Sequence, residues 1–169
     1  MAAMRDVTGR LLRATARDRS RPFAVISEAV WWVTIVDATL VRYHPGTYDE
    51  VLAGQPGAER RSIEETLSGL RFVRNRMGQY LDPVDFIQPD DSGSGPGDGG
   101  IMAWRWRPVP EPAFASPPLR GESWELARYR AYEGRLVGQT MGQTFARTAG
   151  FLRLAAARAT RAMVPNAVP

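Results

Sequence analysis

The chain predicts an all-α fold, a bundle of about five helices with a short extended strap rich in tryptophan and arginine. Three observations lead there. Apolar residues at Ile63, Leu67, Leu70, Val73, Met77 and Leu81 recur with the helical period. The segment from Phe23 to Tyr43 is apolar nearly all round, as a central bundle helix is. A second periodic series, Met141, Phe145, Thr148, Leu152, Ala155, Ala156, Ala159 and Met163, closes the chain. With 169 residues and 44% hydrophobic content, the expectation is a single globular domain able to bury a substantial core.

Composition removes several chemistries. There is no cysteine, which excludes disulfides, thiol nucleophiles and cysteine-held metals. The single histidine, His44, leaves no histidine-based metal cluster and no Ser/His/Asp arrangement. All 22 basic residues are arginine. A GC-rich coding bias is enough to produce that, but each cation is still a planar, permanently charged fork suited to phosphate, carboxylate or aromatic faces. The ends are basic and the centre acidic: residues 1–22 balance at +4, residues 23–100 at −6 and residues 101–169 at +6. That pattern suits RNA or an acidic protein as partner, and equally suits ordinary solvated helix faces.

In chain order, residues 5–19 read as a short amphipathic helix, with Val7, Leu11, Leu12 and Ala16 set against five arginines. No apolar run or small-residue cleavage site follows, so it is not read as a secretory signal. Pro22 suits the first turn of the next helix, where its missing N–H costs nothing. That helix approaches the length of a membrane span. Glu28 and Asp37 interrupt it, each at a cost of ~2.5–3.5 kcal/mol near the centre of a helix in lipid. A core helix is the better reading, with no membrane contact and a cytoplasmic location. Such a helix hides carboxylates only if they are paired.

His44-Pro45-Gly46 ends the apolar helix, and Tyr48 to Leu52 can form one more turn. The helix built on Ile63–Leu81 is expected to stop at Asp82-Pro83, because the residue before proline is pushed out of helical geometry. Arg74 falls inside its apolar stripe, about 40° from Leu70 around the axis. A guanidinium facing the core needs a carboxylate, and Glu28 or Asp37 is the expected partner of a structural ion pair. Residues 90–100 form a Gly/Ser/Asp loop with nothing to bury.

In Met102–Arg107, Trp104 and Trp106 alternate with Arg105 and Arg107, the period of an extended strand with one aromatic and one cationic face. Pro108 and Pro110 keep it short. Those four residues make a candidate base-stacking and phosphate-binding platform. The alternative is that the two tryptophans lie over a groove between helices. Residues 121–136 read as the next helix, interrupted near Gly138 before the final one. The acids Glu64, Glu65, Asp82 and Asp85 read as a wet face, with no core-facing carboxylate pair to hold a metal, and no cofactor is expected.

The run Leu70-Arg-Phe-Val-Arg-Asn-Arg-Met-Gly-Gln-Tyr, late in a helix that follows a very apolar one, resembles the signature helix of HEPN domains. The resemblance implies an all-α bundle that dimerises, in a family many of whose members are metal-independent ribonucleases. Arg74 and Asn75 match the first half of the family motif. The second half departs, with Gln79 or Tyr80 where the family has its histidine. Metal-free RNA cleavage needs a base, an acid and cationic stabilisation of the phosphorane. Arg74 can supply the last, but Gln79 exchanges no proton and a tyrosine near ~10 is a poor base. The expectation is therefore a non-catalytic HEPN-like binding and dimerisation module. The alternatives are an active ribonuclease using Arg74, Asn75 and Tyr80, or a purely structural or regulatory helical protein.

Overall fold

The computed structural model describes residues 22–77, 83–89 and 104–163. The helix expected over residues 5–19, the loop at 90–100, and Gln79, Tyr80 and Asp82 lie outside them. Among the described residues the fold is mostly helical, as expected, with five helices and one small sheet. Helix α1 is Pro22–Tyr43, α2 Pro45–Ala53, α3 Gly57–Arg76, α4 Arg120–Arg135 and α5 Met141–Met163. A 3-10 turn at Pro83–Phe86 (η1) leads into strand β1, Ile87–Pro89, which pairs antiparallel with β2, Trp104–Trp106.

Local chemistry sets the boundaries. Pro22 opens α1, and His44, held off helical geometry by Pro45, separates it from α2 by one residue. Pro56 precedes α3. The expected end of α3 at Asp82-Pro83 is corrected: the helix stops at Arg76, and Met77 is extended while its N–H still reaches the Val73 carbonyl at 2.9 Å. In the sequence the next residue is Gly78, a residue type common just past helix ends. Helix α4 starts where the Glu122 carboxylate accepts the Leu119 N–H at 2.9 Å, satisfying one of the first-turn donors. It ends in a turn whose Gly138 has φ 79°, a left-handed conformation open to glycine without strain.

Helices α1 and α3 run antiparallel, with α2 as the connection, and α4 packs on α3 more extensively than any other pair of elements. Gly69 permits that close approach, since a Cβ there would come within 2.7 Å of Leu136 and 3.1 Å of the Tyr132 backbone. The core gathers Ile26, Val30 and Val33 from α1, Ile63, Leu67, Leu70, Phe72 and Val73 from α3, and Phe145, Leu152 and Ala155 from α5. An aromatic chain crosses it edge to face, from Phe72 to Phe86 to Tyr132 to Trp106.

Helix α1 is apolar on more than its buried side. Its length and composition would suffice to cross a membrane. In the bundle its inner face packs on α3, α5 and α2, and Trp31, Val41 and Tyr43 on the outside stay exposed.

Candidate functional site

The last turn of α3 carries the motif residues. The Arg74 guanidinium lies over the Trp31 indole, 4.8 Å from the ring centroid, a cation–π contact. The ion pair expected between Arg74 and Glu28 or Asp37 is thus corrected. Asp37 takes Arg71 instead, whose Nε donates to Oδ2 at 2.8 Å and whose Nη2 closes on the same oxygen. The antiparallel course of α1 and α3 explains the exchange: the residue earlier on α3 meets the residue later on α1. One turn further along α3, Arg74 meets Trp31, one and a half turns back along α1.

Asp37 is fully buried. Its second oxygen accepts the Tyr48 hydroxyl at 2.8 Å, so the carboxylate joins α1, α2 and α3. Burial foremost, then the Asp37 charge and hydrogen bond, pushes the Tyr48 phenol well above its ordinary value, with Arg71 opposing. Tyr48 keeps its proton and acts as a donor, not as an acid–base group. Beside it lies an open cleft of about 330 Å³, lined by Val41, Tyr48, Asp49, Glu64 and Arg71 among others.

Asn75 faces away from Asp37, toward α4. Its Nδ2 donates to Glu125 Oε2 at 3.1 Å, and Arg76 Nε donates to Oε1 of the same carboxylate at 3.2 Å. Arg128, one turn on from Glu125, adds a contact at 3.5 Å. Glu125, only 15% exposed, is therefore the hub that locks the end of α3 to α4. Sequence reasoning did not single it out. The Glu125–Arg128 spacing of three was a signal for a surface pair, and nothing local reported that Asn75 and Arg76 would meet it.

The strap holds a split answer. Trp106 is fully buried, its indole N–H donating to Thr144 Oγ1 at 2.9 Å, so it offers no face to a base. Trp104 is half-buried with its ring edge-on to Phe23. Arg105 and Arg107 are on the opposite side, with Arg105 Nη1 donating to the Gly138 carbonyl at 2.5 Å. Gly138 N–H donates to the Trp106 carbonyl at 2.9 Å and Trp106 N–H donates to the Gln139 carbonyl at 3.1 Å, which ties β2 over the α4–α5 turn. Of the expected four-residue platform, Arg107 and the exposed part of Trp104 remain open, while Trp106 is buried and Arg105 is engaged.

The remaining cationic feature is α5, which contains Arg147, Arg153, Arg158 and Arg161 and no acid. Arg147, Leu154, Arg158 and Arg161 fall within about 40° of one line along its outer side, and all four are exposed. Glu59 lies 3.5 Å from Arg147. Among the described residues Arg158 and Arg161 have no ion-pair partner. Of the acids weighed for a metal, Glu65 pairs with Arg135 at 2.9 Å and Glu64 is exposed on α3. No group of three potential metal ligands occurs among the described residues.

Fold and site together define an all-α bundle with a buried Asp–Tyr–Arg tie and a cationic final helix. No protein-family model matches the chain, and neither a curated protein nor a solved structure does.

Proposed function

We propose that this protein is a non-catalytic helical binding module that engages a polyanion, single-stranded RNA or an acidic protein segment, along α5. The observation that carries the reading is the line Arg147–Arg158–Arg161 on a helix that itself holds no acid, about 21 Å long at 1.5 Å per residue; Glu59 of α3 meets Arg147 at one end, and Arg158 and Arg161 are unpaired among the described residues. Guanidinium forks at that reach meet successive phosphates or carboxylates. No aromatic residue shares the line, so contacts fall on a backbone or on side-chain carboxylates and not on bases. The half-motif Arg74-Asn75 resembles the HEPN signature, but both residues are engaged internally, with Trp31 and Glu125. That engagement supports assembly over cleavage.

Titration of labelled single-stranded RNA and of polyglutamate over a range of salt separates the two ligands. Binding weakens with salt, and the Arg158→Glu/Arg161→Glu variant loses affinity at least about tenfold. Its log–log slope is shallower too, by ~0.7 for each phosphate on a single strand that the variant no longer neutralises. Unchanged binding by that variant refutes the assignment to α5. RNA cleavage that disappears in Arg74→Ala overturns the non-catalytic reading.

A further inference from the structure

We infer that the groove between α5 and the start of α3 receives the bulky apolar side chain of an acidic protein segment, which makes the partner of α5 a protein and not a nucleic acid. The inference rests on the α5 reading and narrows it to one class of ligand.

The groove has a volume of about 460 Å³ and lies between Glu59 and Ile63 of α3 and Arg147, Gly150, Phe151 and Leu154 of α5. Ile63 and Phe151 are buried and form its floor, while Leu154, 45% exposed, stands at its edge. A half-exposed leucine beside an apolar floor is surface that lowers its free energy when covered. Gly150 keeps the groove open. A glycine inside a helix is less stable there than an alanine, and at Gly150 no atom of the described residues lies within 4 Å of where a Cβ would stand. Gly69 is required by a neighbour from its own chain, whereas the space beside Gly150 belongs to the groove.

Charge selects the occupant. Glu59 meets Arg147 at 3.5 Å, so that rim of the groove is neutralised within the chain. The cationic excess lies to one side, at Arg158 and Arg161, about 12 and 17 Å beyond Gly150 at 1.5 Å per residue. Both are exposed, and both are unpaired among the described residues. A segment whose apolar side chain fills the groove and whose carboxylates follow at that distance satisfies the two features together. A nucleic acid satisfies only the second. To use the groove it would have to insert a base, and bases are held by stacking on open aromatic faces. Ile63 and Leu154 offer none. The aromatic residue of the groove, Phe151, is 5% exposed and is held in an edge-to-face contact with Tyr48, 5.1 Å between ring centroids.

Fluorescence anisotropy of labelled probes tests this on the whole chain. A glutamate-rich peptide with one central tryptophan binds at least about tenfold more tightly than the same peptide with alanine in its place. Gly150→Leu fills the groove, and its gain in helix propensity preserves the fold. It brings the tryptophan peptide down to the affinity of the alanine peptide, and leaves the alanine peptide and single-stranded RNA unchanged. Leu154→Ser, at an exposed position, weakens the tryptophan peptide in the same selective way. Arg158→Glu/Arg161→Glu weakens both peptides together. Equal affinity of the two peptides for the native protein, or RNA binding without peptide binding, overturns the inference and leaves the α5 reading standing. Loss of RNA binding in Gly150→Leu also overturns it, by putting a base in the groove. So does an oligomer of the native chain that Gly150→Leu dissociates, by putting a second copy there. If the native protein binds neither peptide nor RNA, the α5 reading falls and the inference falls with it.

Discussion

Asp37 has the most demanding position of any charged residue described, a carboxylate with no solvent access in the middle of an apolar helix. Its ion is tolerated because both oxygens are engaged, one by the Tyr48 hydroxyl and the other by two nitrogens of Arg71. Arg74, three residues further along α3, has a cheaper role on the Trp31 ring. The two arginines therefore separate in their cost of removal. Arg71→Met leaves a buried carboxylate with one neutral donor and lowers unfolding stability by about 1–3 kcal/mol. The Arg71 side chain is 35% exposed, and that keeps the loss below the ~3–5 kcal/mol of a fully buried broken pair. Arg74→Met costs less than about 1 kcal/mol, the scale of an exposed cation–π contact. Urea denaturation of both variants checks the order, and a larger loss from Arg74→Met than from Arg71→Met contradicts it.

Between elements, the α3–α4 contact governs the shape of the bundle, and it depends on a residue with no side chain. Gly69→Ala should improve the intrinsic helix propensity of α3 by ~1 kcal/mol. The same methyl would sit 2.7 Å from the Leu136 side chain and 3.1–3.2 Å from the Tyr132 backbone, which cannot swing away. The net effect is a loss of about 1–3 kcal/mol, read as a lowered midpoint in chemical denaturation with the helical signal unchanged before the transition. A stabilised variant would mean that α4 can back off without cost. Nothing in the sequence distinguishes Gly69 from a surface glycine, because the neighbour that makes it necessary arrives from Tyr132 and Leu136, more than sixty positions away. The same limit explains what else was and was not legible. The stripe Ile63, Leu67, Leu70 and Val73 is buried as its period predicts, because period is a local property. Phe72 lies off that stripe and is also fully buried, since η1 and α4 cover a second side of α3. The need for a basic partner at Asp37 was readable, but choosing Arg71 over Arg74 required knowing how α1 and α3 slide past each other. Trp106 shows the reverse: an alternating Trp-Arg pattern states that two faces differ, not which one the core takes.

At the scale of the whole molecule, the cations and the phenols set opposite responses to alkali. All the basic side chains are arginines, which keep their charge far above neutrality. The polyanion binding proposed for α5 should therefore hold from pH 7.5 to about 10, a range over which lysine-based sites begin to lose charge near ~10.4. Stability should not follow it upward. Burial first, then nearby carboxylates, raises the Tyr48 and Tyr132 phenols above the ordinary value of 10.0 in the folded chain. Below pH 10 both groups are protonated in folded and unfolded chains alike, and their contribution is fully present. Above it the unfolded phenols release protons while the folded ones retain them, so the unfolded state binds fewer protons and stability falls as pH rises. Each such group adds up to ~1.4 kcal/mol of loss per pH unit until its folded value is passed. Tyr48→Phe removes one of the two, at a fixed cost of about 1–3 kcal/mol for the missing donor to Asp37. The variant should be less stable at pH 8, yet its stability should decline more slowly than that of the native chain from pH 10 to 11. Denaturation midpoints across that interval decide it, and parallel curves for the two proteins would show that Tyr48 already reaches solvent and titrates as an ordinary phenol.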